Sequence, residues 1–259
     1  MRTAPARRWS TTSSTWHALG NTYVVAEPEQ PLDAEAASEL AQGADGVLEV
    51  LGRSPTSVAI AIWNPDGSTA ELSGNGTRIA AAWLLRESAA DTVEIETEAR
   101  VVRAVRTPLE GVVRQDLGAV AVGAVELLDV AGERISVVPV DVGNPHAVVL
   151  RDELSRDELL RLGPAIETHP RFPGRTNVQL ARPGPQGSVS ILVWERGAGE
   201  TAASGSSAVA VAAAATSRGW CESPVRVTMP GGELRVAIEN GQAVLEGPVE
   251  LICVGTTEL

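Results

Sequence analysis

The sequence predicts a mixed α/β (α+β) protein built from two similar halves. The order strand, helix, strands, turn, buried helix, strands occurs twice along the 259 residues. Each half carries one small-residue turn that runs into an Ala-rich stretch. These are Ser73-Gly74-Asn75-Gly76-Thr77-Arg78 and the segment from Glu195 to Ser207. The composition is 44% hydrophobic but only 3% aromatic, so the core is built from Val, Leu, Ile and Ala.

Residues 23–26 read as a first strand, and Pro31 and Asp33 start an amphipathic helix over 32–41. Strands follow at 47–51 and 57–63, the second with Val58, Ile60 and Ile62 alternating. Asn64-Pro65-Asp66-Gly67 is a turn. Residues 77–87 form a buried helix, and strands are expected at 92–98, 101–107, 112–117 and 119–127. In the second half, strands at 135–140 and 146–150 precede a helix at 157–162, with Ser155 as its N-cap. Strands at 178–182 and 189–194 lead to the second Ala-rich helix, 206–218. Strands at 225–229, 233–239, 242–246 and 249–254 close the chain. The boundary is expected near Gly123 to Gly132, with Ala131-Gly132-Glu133 as a turn, giving domains 1–127 and 128–259, with the last strand, near 249–259, a candidate to return to the first. No low-complexity linker separates them, which implies close packing of the halves.

Charge and residue usage exclude several function classes. A net charge of −12 opposes nucleic acid as a partner, because phosphate binding needs a basic face. No apolar run approaches the roughly 20 residues of a membrane span. Residues 1–15 are basic and then Ser/Thr-rich, without the apolar core of a signal peptide; they are expected to form a loose tail on an intracellular, cytoplasmic protein. The chain has no lysine, so a lysine imine, including a pyridoxal-phosphate Schiff base, is impossible. Cys221 and Cys253 have no metal spacing and are expected to be buried or half-buried free thiols. His17, His146 and His169 are too scattered for a zinc motif, so no metal site is expected.

The two turns point to a binding chemistry. A helix start presents backbone N–H groups without intrahelical acceptors, which suits a carboxylate. Each turn also places one serine hydroxyl, Ser73 or Ser204, at the mouth of that cluster. One such site per half implies a small ligand gripped between two similar domains.

Eight segments resemble the diaminopimelate epimerase family of cofactor-independent amino-acid racemases and epimerases. They are Ala18-Leu19-Gly20-Asn21, Gly43-Ala44-Asp45-Gly46, Asn64-Pro65-Asp66-Gly67-Ser68, Ser73-Gly74-Asn75-Gly76-Thr77-Arg78, Gly143-Asn144-Pro145-His146, His169-Pro170-Arg171-Phe172-Pro173, Thr176-Asn177-Val178 and Glu195-Arg196-Gly197-Ala198-Gly199-Glu200-Thr201. They stand in the family's order and at its spacing across nearly the whole chain. The resemblance implies two pseudo-symmetric domains, each a sheet wrapped around a central helix, with the site in the cleft between them. It implies an isomerase of amino-acid, and specifically lysine, biosynthesis that takes an amino-acid-like substrate and no cofactor. A homodimer is one expected assembly.

In that family two cysteines flank the substrate α-carbon, one removing a proton as thiolate and the other returning one as thiol. A thiol pKa near ~8.5 makes both roles accessible at neutral pH. Both positions are serine here, Ser73 and Ser204. Three explanations stand: a member with changed chemistry, such as a non-racemising isomerisation or cyclisation in secondary metabolism; a racemase whose serines are tuned by His146 and Glu195; and a Cys-to-Ser variant that binds without turnover. The second turn continues Ser204-Gly205-Ser206-Ser207 where the family has Gly-Thr-Gly, which favours divergence.

The resemblance also distributes binding roles. Asn64, Asn144 and Asn177, with Glu195 and Arg196, match the positions that hold the substrate's distal end, Arg196 by a bidentate grip on carboxylate. The alternative for each asparagine is a local turn role. Gly74, Asn75, Gly205 and Ser206 offer backbone N–H groups to the α-carboxylate and to the charge that develops as the α-proton leaves. Asn21 lines the cleft, and Glu200 caps or braces the second turn. Gly46 stands where epimerases often carry Gln, which removes one contact. His146 is read two ways, as a base or as a hydrogen-bonded wall residue.

Overall fold

The structure, a computed structural model, describes residues 10–258. Residues up to Val113 and those from Pro248 onward form one compact unit, and Arg114–Gly247 a second. The divide therefore lies earlier than the expected 127/128. The reason is strand pairing: residues 121–122 and 126–130 are hydrogen-bonded to the strand Glu133–Asp141 of the second unit.

The first unit runs β1 (Ser10–Ala18), β2 (Asn21–Glu27), α1 (Ala34–Leu40), β3 (Gly46–Arg53), β4 (Ser57–Trp63), β5 (Thr69–Ala70), α2 (Gly74–Glu87), β6 (Thr92–Glu96) and β7 (Val101–Arg106). The second runs β8 (Val112–Ala119), β9 (Ala121–Val122), β10 (Glu126–Val130), β11 (Glu133–Asp141), β12 (Pro145–Leu150), α3 (Arg156–Glu167), β13 (Asn177–Pro183), β14 (Ser188–Glu195) and β15 (Gly199–Thr201). It continues through α4 (Gly205–Ser217), β16 (Val225–Met229), β17 (Gly232–Glu239) and β18 (Gln242–Pro248), and β19 (Glu250–Glu258) ends the chain. Strand β19 pairs antiparallel with β1, so the last strand joins the first unit's sheet.

The same topology is written twice. In the first unit β1 and β2 are antiparallel, β2 and β3 parallel, β3 and β4 antiparallel, β4 and β6 parallel, and β6 and β7 antiparallel. In the second unit β11, β12, β13, β14, β16 and β17 repeat that series. Each parallel step is bridged by a helix, as a parallel connection requires. The outer helices α1 and α3 make the first bridge of each unit, and the inner helices α2 and α4 make the second.

The inner helices are the cores of their units. Helix α2 packs on β1, β2, β4, β6 and β7, and buries Ile79, Ala80, Ala81, Trp83, Leu84 and Leu85. Helix α4 packs on seven strands from β9 to β17, and every residue from Ala208 to Ala215 is buried. A helix apolar all round has no solvent face to keep. Alanine, the strongest helix former, also lets the surrounding strands approach closely. Ser73 and Ser204 sit at the N-caps in extended conformation, their side chains accepting the Gly76 and Ser207 N–H. Each cap contributes about 1 kcal/mol.

Four expectations are corrected. Residues 10–15 form part of β1, where the sequence reading placed a loose tail; the rest of that tail, residues 1–9, lies outside the described residues. Threonines at 11, 12 and 15 suit a pleated strand that is flanked on both sides, by β2 and β19. Helix α2 begins at Gly74, not at 77, because Ser73 is its cap. Helix α3 does not stop at Leu162 but continues through Gly163 and Pro164 to Glu167. Cys221 is buried as expected, but Cys253 is exposed on β19. Among the described residues no helix is long and apolar enough to cross a membrane, and no cluster of three or more His, Cys, Asp or Glu could hold a metal ion.

Candidate active site

Each unit carries a half-site at the start of its inner helix. In the first, Ser73 Oγ accepts the Gly76 N–H at 3.0 Å and Ser73 O accepts the Thr77 N–H at 2.8 Å. Helix geometry leaves the N–H groups of Gly74 and Asn75 without intrahelical acceptors. Asn75 is held on two sides: its Nδ2 donates to Asn21 Oδ1, and its Oδ1 accepts from Arg78 Nη2 at 2.8 Å. Arg78 is fully buried, and its Nε donates to Pro248 O at 3.3 Å. Burial lowers its pKa to about 10, which leaves it a cation at neutral pH. The predicted pair Asn21 and Asn75 thus meet and orient each other, with a buried guanidinium behind them.

Gly46 faces Tyr23 across the parallel β2–β3 ladder. A Cβ at position 46 would fall 2.5 Å from Trp63 O and 2.8 Å from Tyr23 Cε1. A side chain there requires the Trp63 backbone or the Tyr23 ring to shift. The Tyr23 hydroxyl lies 3.1 Å from Ser73 Oγ. Asn64 follows β4 and is occupied by its own turn: Nδ2 donates to Ser68 Oγ at 2.9 Å, and its carbonyl accepts the Gly67 N–H at 3.0 Å. These are the contacts of the local turn role.

In the second half-site Ser204 is buried, and its Oγ accepts the Ser207 N–H at 3.4 Å. The Ala208 N–H goes to Ser204 O at 3.0 Å, so the amides of Gly205 and Ser206 have no intrahelical acceptor. Ser206 Oγ lies 3.5 Å from Ser204 Oγ. Burial pushes the carboxyl of Glu195, at the end of β14, above its usual 4.5, and the nearby Ser204 hydroxyl pulls it partly back. A carboxyl raised in this way beside a helix-capping hydroxyl is a candidate acid–base pair.

His146 has the surroundings of the wall-residue reading. It is 1% exposed, and both ring nitrogens are engaged. Nδ1 accepts from Gln179 Nε2 at 3.0 Å, which places the ring proton on Nε2, 3.0 Å from Asn144 Oδ1. Burial, with the charge of Arg196 adding to it, pushes the imidazole down to about 3. Gln179 also donates to Ser207 Oγ at 2.9 Å, so the histidine is tied through it to the first turn of α4.

The remaining predicted residues gather on the same edge of the second unit. Asn177 Nδ2 donates to Pro145 O, and its Oδ1 accepts the Arg196 N–H, both at 3.0 Å. This amide ties the ends of β12, β13 and β14 together, so its first function is structural. Asn144 keeps its Nδ2 for other use, because only Oδ1 is engaged by His146. Arg196 is exposed, and its Nη1 donates to Gly174 O at 3.2 Å. Glu200 braces rather than caps: both carboxylate oxygens accept from Arg156 at the start of α3, at 2.7–3.0 Å.

Sequence reasoning missed the supports. Glu167 is buried at the end of α3; its Oε2 accepts from Trp194 Nε1 at 2.7 Å and its Oε1 from the Gly197 N–H at 2.9 Å. Burial raises this carboxyl, but the two hydrogen bonds and Arg175 outweigh it and leave the pKa lowered. Glu49 does the equivalent in the first unit, accepting from Trp63 Nε1 and the Leu32 N–H, each at 2.8 Å. The available signal was the repeated pairing of a tryptophan with the next site residue, Trp63 with Asn64 and Trp194 with Glu195.

Comparison with known proteins finds relatives over most of the chain. Residues 138–252 match the family profile for diaminopimelate epimerase. The chain is 34% identical to the diaminopimelate epimerase of Carboxydothermus hydrogenoformans, over 92% of this chain and 96% of that one. It is also 34% identical to diaminopimelate epimerase 2 of a Nostoc species, over 87% of each. Among solved structures, a phenazine biosynthesis protein of the PhzF family from Enterococcus faecalis superposes with a TM-score of 0.74 at 13% identity, covering 97% of this chain and 100% of that chain. A probable proline racemase from Agrobacterium radiobacter K84 gives 0.72 at 18% identity, over 96% and 92%. The fold is shared with these two, and the sequence relationship identifies the chain as an isomerase belonging to the diaminopimelate epimerase family.

Proposed function

We propose that the protein moves a proton at the carbon α to a carboxylate of an amino-acid-like substrate, without a cofactor. The observation that supports this most directly is the capped start of α4, where the Ser204 hydroxyl stands beside the open Gly205 and Ser206 amides with the Glu195 carboxyl nearby. As Ser204 Oγ takes the α-proton, its own proton passes to the Glu195 carboxylate. The electron pair left on carbon delocalises into the substrate carboxylate, and helix-start N–H groups such as those of Gly205 and Ser206 stabilise that charge. Routing the proton to a carboxylate avoids a free alkoxide, whose pKa lies far above a thiol's. Ser73, at the second of the family's two cysteine positions, takes the complementary role of proton donor. Arg196 and Asn144 supply a guanidinium and an amide N–H for a second charged group, which favours diaminopimelate or a close relative as substrate.

Incubation in D₂O with diaminopimelate and other amino acids, followed by NMR of the α-proton, tests the proposal. Exchange that depends on Glu195 is expected; no exchange with any candidate at high enzyme loading rejects it. Restoring cysteine at both 73 and 204 is expected to raise diaminopimelate epimerisation at least about tenfold, since each unit of pKa mismatch is worth about 1.4 kcal/mol.

One observation favours a second reading within the family. The two hydroxyls have chemically different partners, a carboxyl behind Ser204 and a phenol behind Ser73. A one-directional isomerisation fits that asymmetry better than a symmetric racemisation. Deuterium wash-in with retention of a single configuration would select this reading.

A further inference from the structure

The partner of Ser73 comes from an unexpected place. Tyr23, the chain's single tyrosine, lies fifty positions earlier, on β2. Its ring passes over Gly46, where a Cβ would crowd it, and its hydroxyl ends 3.1 Å from Ser73 Oγ. Ser73 Oγ has one proton and two lone pairs. One lone pair is taken by the Gly76 N–H at 3.0 Å. A Tyr23 O–H donated into the second leaves the serine's own proton as the group presented to a ligand at the helix start.

We propose that Tyr23 is the proton-relay partner of Ser73, so that the serine conducts the proton of a phenolic acid to the substrate. The proposal rests on the function proposed above and deepens it. In the step, Ser73 O–H gives its proton to the substrate carbanion, whose electron pair forms the new C–H bond. Ser73 Oγ then takes the Tyr23 proton, and the negative charge comes to rest as phenolate. No alkoxide accumulates. A phenol has a reference pKa near ~10 against ~8.5 for a thiol, a gap of about 2 kcal/mol, whereas an unassisted alcohol lies much further away. The geometry thus lets the charge come to rest on a phenol rather than on the serine oxygen. Tyr23 acts through Ser73 and is a positioning residue rather than a catalytic one.

Because the chain has one tyrosine, labelling tyrosine with ¹³C at Cζ reports on Tyr23 alone. The phenol is titrated by NMR in the wild-type protein and in Ser73→Ala. A midpoint that differs by about half a unit or more is expected if the hydroxyls are coupled; coincident midpoints overturn the proposal. In parallel, Tyr23→Phe, which keeps the ring beside Gly46, is expected to lower the kcat of α-proton exchange by about 10- to 100-fold, with KM within about twofold. In a Ser73→Cys background the same change is expected to cost less than about threefold, because the thiol carries its own proton. Equal losses in both backgrounds mean a merely structural role and overturn the relay. If no candidate substrate exchanges at all, the parent proposal has failed, and the titration alone then decides whether the pair exists.

Discussion

Trp194 Nε1 donates a 2.7 Å hydrogen bond to the buried carboxylate of Glu167. The same carboxylate receives the Gly197 N–H, so one side chain at the end of α3 holds both ends of the segment that carries Glu195 and Arg196. Glu167→Gln places an amide donor against one of these two donors. A buried donor left unmatched costs about 1–3 kcal/mol, and a loss of that size in urea unfolding is expected, with a raised KM because the loop loosens. The lowered pKa sets the sign with pH. The stability Glu167 contributes is present above the ordinary carboxylate range and is lost as pH falls through its depressed folded value. An unchanged unfolding midpoint at pH 7 would remove the brace from this account.

Gly163 makes the contact behind that brace possible. A Cβ there would lie 2.7 Å from Trp194 Cγ and Cδ2. Alanine normally stabilises a helix interior by roughly 1 kcal/mol over glycine. Here Gly163→Ala is expected to destabilise by about 1–3 kcal/mol, because the indole must shift and it is held by Glu167. A variant as stable as wild type by chemical denaturation contradicts the close packing.

His146 makes an acid-stability prediction. Its folded pKa is about 3 against an ordinary 6.5, because burial disfavours the charged ring. Between those values the unfolded chain binds the proton and the folded one does not, so stability rises with pH across that window and is complete above it. At pH 4 the loss relative to pH 7 is about 3 kcal/mol from this group. His146→Gln is expected to flatten that part of the profile, read from urea unfolding at several pH values. Parallel profiles for the two proteins would show that the ring is not held neutral.

Glu195 makes the corresponding activity prediction. Its carboxyl titrates above the usual value, so exchange is expected to rise with pH through a midpoint above 4.5 as the base is uncovered. Glu195→Gln is expected to lower kcat by about 10²-fold or more and to abolish that limb. Retention of the limb in the variant assigns the base elsewhere.

The features that were legible in the sequence are local ones. Asp33 and Ser155 each cap the helix that follows, and the alternation of Val58, Ile60 and Ile62 marks β4 end to end. A capping oxygen reaches an amide three residues on, and a pleat repeats every two, so short windows contain the whole cause. The motifs of both half-sites, and with them the family, were readable for the same reason. Strand β1 was not, because its Ser/Thr run becomes a strand only between β2 and β19, the latter drawn from the far end of the chain. The end of α3 was misread because Gly163-Pro164 is a local stop signal, overridden where Trp194 and Glu167 anchor the last turn.

The amino-acid order by itself therefore determined which turns precede the inner helices, which residues line each of those helices, and which hydroxyl stands at the mouth of each turn. Tertiary structure alone decided what each hydroxyl touches. Tyr23 behind Ser73, the Gln179 amide that fixes the His146 proton, and the Asn177 amide spent on backbone are partnerships between residues up to fifty positions apart. Proton chemistry depends on such hydrogen-bond partners and on desolvation, and neither exists until distant strands have closed around the helix.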